Sequence, residues 1–113
     1  MWRIIQLKSD AEPWWFLEGW EQDITQEWNT IEKSEAFEIF RNRTNELKQA
    51  CKHVRVKRAT QFAYWNDDDF FFCEDCDDDL QIYYGLLILH NDKPYTTNQM
   101  NDDEKAFFEK LID

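Results

Sequence analysis

The chain has little glycine and little proline, two of each among 113 residues. Glycine-rich phosphate loops need several glycines close together, so nucleotide-cradling loops of that kind are excluded. Long flexible or proline-rich linkers are excluded on the same ground. One α+β domain over residues 1–113 is therefore the expected organisation. Cysteine is scarce and odd in number (Cys51, Cys73, Cys76), which argues against a disulfide framework. The run Gly85–Leu89 is far too short to span a bilayer, so no membrane association is expected. Met1–Ile5 lacks the apolar core of a signal peptide, and a reducing cytoplasm is the expected location. Bases are outnumbered by acids, 13 to 24, for a net charge of −11. That balance aids solubility and repels phosphate backbones. Nucleophile-elbow, phosphate-loop and dinucleotide patterns are all missing, and neither His53 nor His90 has a serine or cysteine dyad partner in sequence.

Aromatic residues are plentiful instead: six Trp, nine Phe and four Tyr. Each buried aromatic removes ~150–250 Å² from water, enough together to build most of one core. Charge is arranged in three blocks. Residues 1–40 carry nine acids and three bases; 41–65 carry one acid and seven bases; 66–113 carry fourteen acids and three bases. A basic band thus lies between two acidic ones.

Residues 2–8 have apolar groups on both faces and predict a strand covered on both sides. Pro13 ends the turn that follows and can start a helix. Trp20, Ile24, Trp28 and Ile31 recur at helical spacing and predict a helix over about 20–31. Ser34 is the expected cap of a second helix, 35–51, whose stripe is Phe37, Phe40, Thr44, Leu47 and Cys51. Residues 54–65 alternate as one half-buried strand, with Val54, Val56, Phe62 and Tyr64 on one side. A short strand 70–73, an acidic turn 74–79 and a strong strand 80–89 follow, then a turn at 91–94 and a possible edge strand at 95–97. Asn101 with Glu104 forms a capping box for a last helix, docked by Ala106, Phe107, Leu111 and Ile112. The expected fold class is α+β, an antiparallel meander of about four strands with helices mainly on one face.

The stretch Asn66–Leu89 holds eight carboxylates, five aromatics, a C-x-x-C pair and an apolar run. Cys73 and Cys76 could be half of a zinc site, which needs four N or S ligands; Cys51, His53 and His90 are the other candidates. The simpler reading is a tight turn with two small half-buried cysteines, and Cys51 fits the apolar stripe of the second helix. A redox role fits poorly, since neighbouring carboxylates raise thiol pKa values. Asp67–Asp69 and Asp77–Asp79 lack the spacing of a calcium loop. Arg55, Lys57 and Arg58 with Phe62, Tyr64 and Trp65 have the composition of a single-strand nucleic-acid platform, although the alternation separates rings from cations.

Residues 12–24 (EPWWFLEGWEQDI), followed tens of residues later by Cys73-Glu74-Asp75-Cys76-Asp77, Leu80-Gln81 and Tyr84, resemble a small bacterial family, the domain of unknown function numbered 1033. The resemblance covers about 12–24 and 65–89. It implies a cytoplasmic bacterial protein and carries over no catalytic residue.

The function expected from these residues is a non-enzymatic protein-interaction module with an unknown protein partner. Trp14 and Trp15 cannot both point at the same core spot: either both sit between sheet and helix, or one is exposed, and exposed aromatics mark binding surfaces. The expected contact residues are Trp14, Trp15, Trp20, Glu74, Asp75 and Asp77. The alternatives are a zinc-binding domain using Cys73 and Cys76, and single-strand nucleic-acid binding through the 41–65 band. No cofactor is expected beyond that zinc.

Overall fold

The computed structural model describes residues 1–113. Strand β1 (Trp2–Ser9) pairs antiparallel with β2 (Ile24–Thr30) on one side and with β7 (Tyr83–His90) on the other. Beyond β7 come β4 (Gln61–Trp65) and β3 (His53–Lys57), so the strands lie in the order β2-β1-β7-β4-β3. A short β8 (Lys93–Pro94) pairs with the end of β7, completing a six-stranded antiparallel sheet. Trp2 and Ile4 of β1 enter the larger core cluster, and Ile5 and Leu7 enter a second cluster. Both faces of β1 are covered, as its composition requires.

Helices α1 (Lys33–Ala50) and α2 (Asp102–Lys110) pack on one face. Phe40 of α1 and Phe108 of α2 join Phe62, Tyr64, Leu86 and Ile88 of the sheet in the larger cluster. The opposite face is crossed by two 3-10 turns, Pro13–Trp15 and Trp20–Asp23. The first turn comes close to the sheet at Gly85: a Cβ there would lie 2.8 Å from the Pro13 Cβ.

The α+β antiparallel architecture with its helices on one face is as expected, with six strands rather than about four. The predicted helix at 20–31 is corrected to a 3-10 turn followed by β2. Spacings of four satisfy both a helix and one face of a strand, and Trp20, Ile24 and Trp28 fit either. Ile31, the residue that favoured the helix, is 76% exposed. The strand 54–65 is a hairpin, β3–β4, and the strand 80–89 is broken at Ile82 between β6 (Asp78–Gln81) and β7. The last helix docks by Phe108 and Leu111, with Ala106 and Ile112 exposed. The start of α1 is set by Glu32, and Thr30 Oγ1 accepts from its N–H, so Ser34 lies inside the first turn. The edge strand forms at 93–94 rather than 95–97.

Glu104 ties the two helices together. It caps α2 with Asn101, accepts from Tyr95 Oη at 2.8 Å, and pairs with Lys33 Nζ at 2.8 Å. Burial pushes its carboxyl up, but the bonds from Lys33, Asn101 N–H and Tyr95 outweigh that and hold it below its ordinary 4.5. A carboxylate with a depressed folded-state pKa stabilises the fold above its unfolded value. That contribution is lost as pH falls through the folded one. Urea melts are therefore expected to lose stability below about pH 4.5 in wild type, and to lose less of it in Glu104→Gln. Equal slopes for the two proteins would contradict the role given to Glu104.

Candidate interaction surface

Strands β5 (Phe70–Cys73) and β6 (Asp78–Gln81), which follow β4 and precede β7 along the chain, form a separate two-stranded sheet. The register pairs Phe70 with Gln81, Phe71 with Leu80, Phe72 with Asp79 and Cys73 with Asp78. Side chains alternate across a strand, so Phe70 and Phe72 share one face and Phe71 lies on the other. The two strands contact each other and little else. Phe70, Phe71 and Phe72 remain 49%, 43% and 56% exposed. Fully burying one phenylalanine is worth ~1.5–3 kcal/mol, so about half of that gain is forgone at each position. A two-stranded hairpin is at best marginally stable alone in water.

The root of the hairpin is held by polar bonds rather than by packing. The Gln81 side-chain amide lies 2.9 Å from Asn66 O, 2.9 Å from Asp69 O and 3.1 Å from Ile82 O. Its two N–H groups are thus shared among three carbonyls. Tyr84 Oη donates to Asp69 Oδ2 at 2.6 Å, and this bond together with burial pushes the phenol up to about 12. Asn66 ties the root to the end of α1 by donating to Ala50 O and accepting from Lys52 N–H. Asp67 accepts from His53 Nε2 at 2.7 Å. At the tip, Cys73 and Cys76 are joined as a disulfide across a turn in which Asp77 takes a positive φ of 50°.

That bond corrects two expectations. The odd cysteine count argued against disulfides, yet two of the three pair and Cys51 is left free. Zinc binding through Cys73 and Cys76 is not supported, since zinc is ligated by thiolates and these sulfurs are bonded to each other. No three His, Cys, Asp or Glu side chains are gathered where they could hold a metal ion. Cys51 packs against the larger core, and burial pushes its thiol up.

The other singled-out residues fall in different places. Glu74, Asp75 and Asp77 are exposed at the hairpin tip. Trp14 is buried at 6% exposure, whereas Trp15 is 56% exposed, so the adjacent tryptophans do part ways. Lys57 Nζ lies over both rings, 5.5 Å from Trp14 and 5.2 Å from Trp15. Trp20 is half-buried and meets Phe16 edge-on at 5.2 Å. A cleft lined by Phe16, Leu17, Trp20, Asp10 and Asp23 adjoins a second, of about 320 Å³, in which Asp10 and Asp23 face Phe71 and Ile82. The surface of Leu17 and Trp20 thereby runs on to the hairpin, while Trp15 stands apart beside Lys57. The nucleic-acid platform loses two of its three rings, because Phe62 and Tyr64 are in the core at 0% and 1% exposure.

Phe70–Phe72 are the residues that the sequence pattern passed over. Three consecutive aromatics in a four-residue strand cannot share a face, and acids flank them on both sides. That signal was present in the residues themselves.

The model of a family described as a protein of unknown function, DUF1033, matches residues 1–110. The chain belongs to the DUF1033 family. Both motif regions lie within the matched span. In this DUF1033 chain they correspond to the 3-10 turns over the back of the sheet and to the hairpin with the strand after it. No curated protein and no solved structure matches the chain. No helix is long and apolar enough to cross a membrane.

Proposed function

We propose that the protein is a non-enzymatic protein-interaction module whose contact surface is centred on the β5–β6 hairpin. The observation that carries the proposal is the half-exposure of Phe70, Phe71 and Phe72 on an arm that packs little against the rest of the fold. Contiguous exposed aromatics rimmed by polar groups are characteristic of interaction sites, and aromatic residues are enriched among binding hot spots. Glu74, Asp75 and Asp77 supply the polar rim at the tip. Trp20 extends the surface along the cleft, and Trp15 is a second, separate anchor beside Lys57. Trp14 serves by holding the 3-10 turn in place rather than by touching a partner.

The test is affinity capture with purified chain, comparing wild type with a Phe70→Ser/Phe72→Ser variant and with Trp15→Ser. All three substituted side chains are exposed, so each variant keeps the core. Specific partners of the wild type are expected to be lost by the hairpin variant and reduced by Trp15→Ser. Recovery of the same partners by all three proteins would refute the proposal.

A further inference from the structure

The outer edge of β5 is unpaired: its only strand neighbour is β6. Exposed strand edges offer a row of free N–H and C=O groups, and proteins normally guard them with lysine, proline or a bulge. Apart from being short, at four residues, β5 has none of these guards; its sequence is Phe70-Phe71-Phe72-Cys73, and its register with β6 is regular. The outer strands of the large sheet differ. β3 carries His53, Arg55 and Lys57, and β2 carries Glu27 among polar neighbours. An unguarded aromatic edge on a projecting hairpin is the geometry that binds an extended segment by strand addition.

The charges say what such a segment must look like. Residues 66–81 carry eight acids and no base. β5 itself carries no acid; Asp67, Asp68 and Asp69 stand before it and Glu74, Asp75 and Asp77 after it, while Asp78 and Asp79 lie on β6, on the side of β5 away from its free edge. A strand laid beside β5 would pass the phenylalanines at its centre and the acids at both ends.

We propose that β5 binds, by β-strand addition, an extended segment of a partner protein with about four apolar or β-branched residues bracketed by lysine or arginine. The proposal rests on the interaction-module reading above and names the chemistry of its partner. Main-chain bonds to β5 supply affinity, the central side chains cover Phe70 and Phe72 on one face and Phe71 on the other, and the terminal cations meet the flanking acids.

The probe is a capped, dye-labelled peptide, Lys-Lys-Val-Ile-Val-Thr-Lys-Lys, titrated against the full chain by fluorescence anisotropy. One control has the same composition with the four lysines at the centre, so its charge is identical. A second carries N-methyl groups on alternate central residues, which blocks strand pairing. Saturable, salt-dependent binding is expected for the probe, weakened about tenfold or more by N-methylation, since each lost main-chain bond is worth roughly a factor of several. The Phe70→Ser/Phe72→Ser chain, which keeps every acid, is expected to bind the probe at least about tenfold more weakly, because the apolar surface that the two rings would bury against the peptide is gone. Equal binding of all three peptides would mean charge attraction alone and overturns the proposal. So would absence of binding at low salt. Sedimentation is run alongside: a wild-type dimer that the hairpin variant abolishes would make a second copy the occupant and also overturns it. If hairpin-dependent capture succeeds while the probe fails, strand addition falls and the interaction-module reading stands.

Discussion

Phe40→Ala is expected to destabilise the protein by about 3–5 kcal/mol, the range for truncating a buried phenylalanine. Phe40 has no exposed surface, and its ring meets Phe62 at 5.3 Å and Phe108 at 5.4 Å, both edge-on. It is therefore a fully buried point at which α1, the sheet and α2 meet. Removing it costs the transfer of the ring and leaves a cavity that three elements would have to close together. Urea denaturation at unchanged m-value measures the loss. A cost below about 1 kcal/mol would mean that the elements repack around the gap and that Phe40 does not join them. Domains of this size are stable by only ~5–15 kcal/mol, so the variant is expected to be largely unfolded at physiological temperature if the wild type lies at the low end.

The second large effect is expected at Gly85. Glycine weakens a strand centre and is placed there when another backbone or side chain comes close. Here the neighbour is Pro13: an added Cβ would sit 2.8 Å from its Cβ, 3.0 Å from its Cγ and 3.4 Å from Leu7 Cδ1. Pro13 is a rigid ring in a 3-10 turn and cannot rotate away as a flexible side chain would. Gly85→Ala is therefore expected to cost about 1–3 kcal/mol, as overpacking does. It is also expected to lift the turn and expose Trp14, which a red shift in tryptophan emission detects. Unchanged stability and emission would show that the turn does not rest on Gly85.

The strands and helices were legible where one period was the only fit. α1 buries Phe40, Thr44 and Leu47, as its stripe requires, and the capping box of α2 forms between Asn101 and Glu104. The errors came from patterns that two structures satisfy equally. In the β3–β4 hairpin, Val54 pairs with Tyr64 and Val56 with Phe62. Those partners differ by even numbers, so the alternation runs through the turn with its phase intact. An uninterrupted strand and a hairpin with loop residues Arg58, Ala59 and Thr60 then give the same pattern. No glycine, proline, asparagine or aspartate marks that loop, although Arg58 and Ala59 both take positive φ. β2 carries a helix-like pattern because multiples of four lie on one face of either element. Its pairing with β1 decided the matter, and no local pattern encodes that.

The candidate surface was half legible. Two adjacent tryptophans point in different directions, which left open burial of both between sheet and helix or exposure of one; the structure buries Trp14 and exposes Trp15. The acidic turn between two strands was also readable, although Asp78 and Asp79 belong to β6 rather than to the turn. The exposure of Phe70–Phe72 was readable only in part: three successive aromatics cannot share one face, but aromatics in a strand are ordinarily core, so nothing local says that both faces stay open. The hairpin's detachment from the main sheet depends on the break at Ile82, whose N–H donates to Asp69 O at 2.9 Å and turns the chain back into β7. Gln81, which looked like a family signature and nothing more, is the residue that holds this junction.

The central claim is that the projecting hairpin, and not the helical face, is where a partner sits. A photo-crosslinking residue placed at Phe72 in one chain and at exposed Asn45 of α1 in another tests it in the protein's native cells. A discrete protein adduct is expected from position 72 and none from position 45. No adduct at 72, or adducts of equal yield from both positions, would contradict the account.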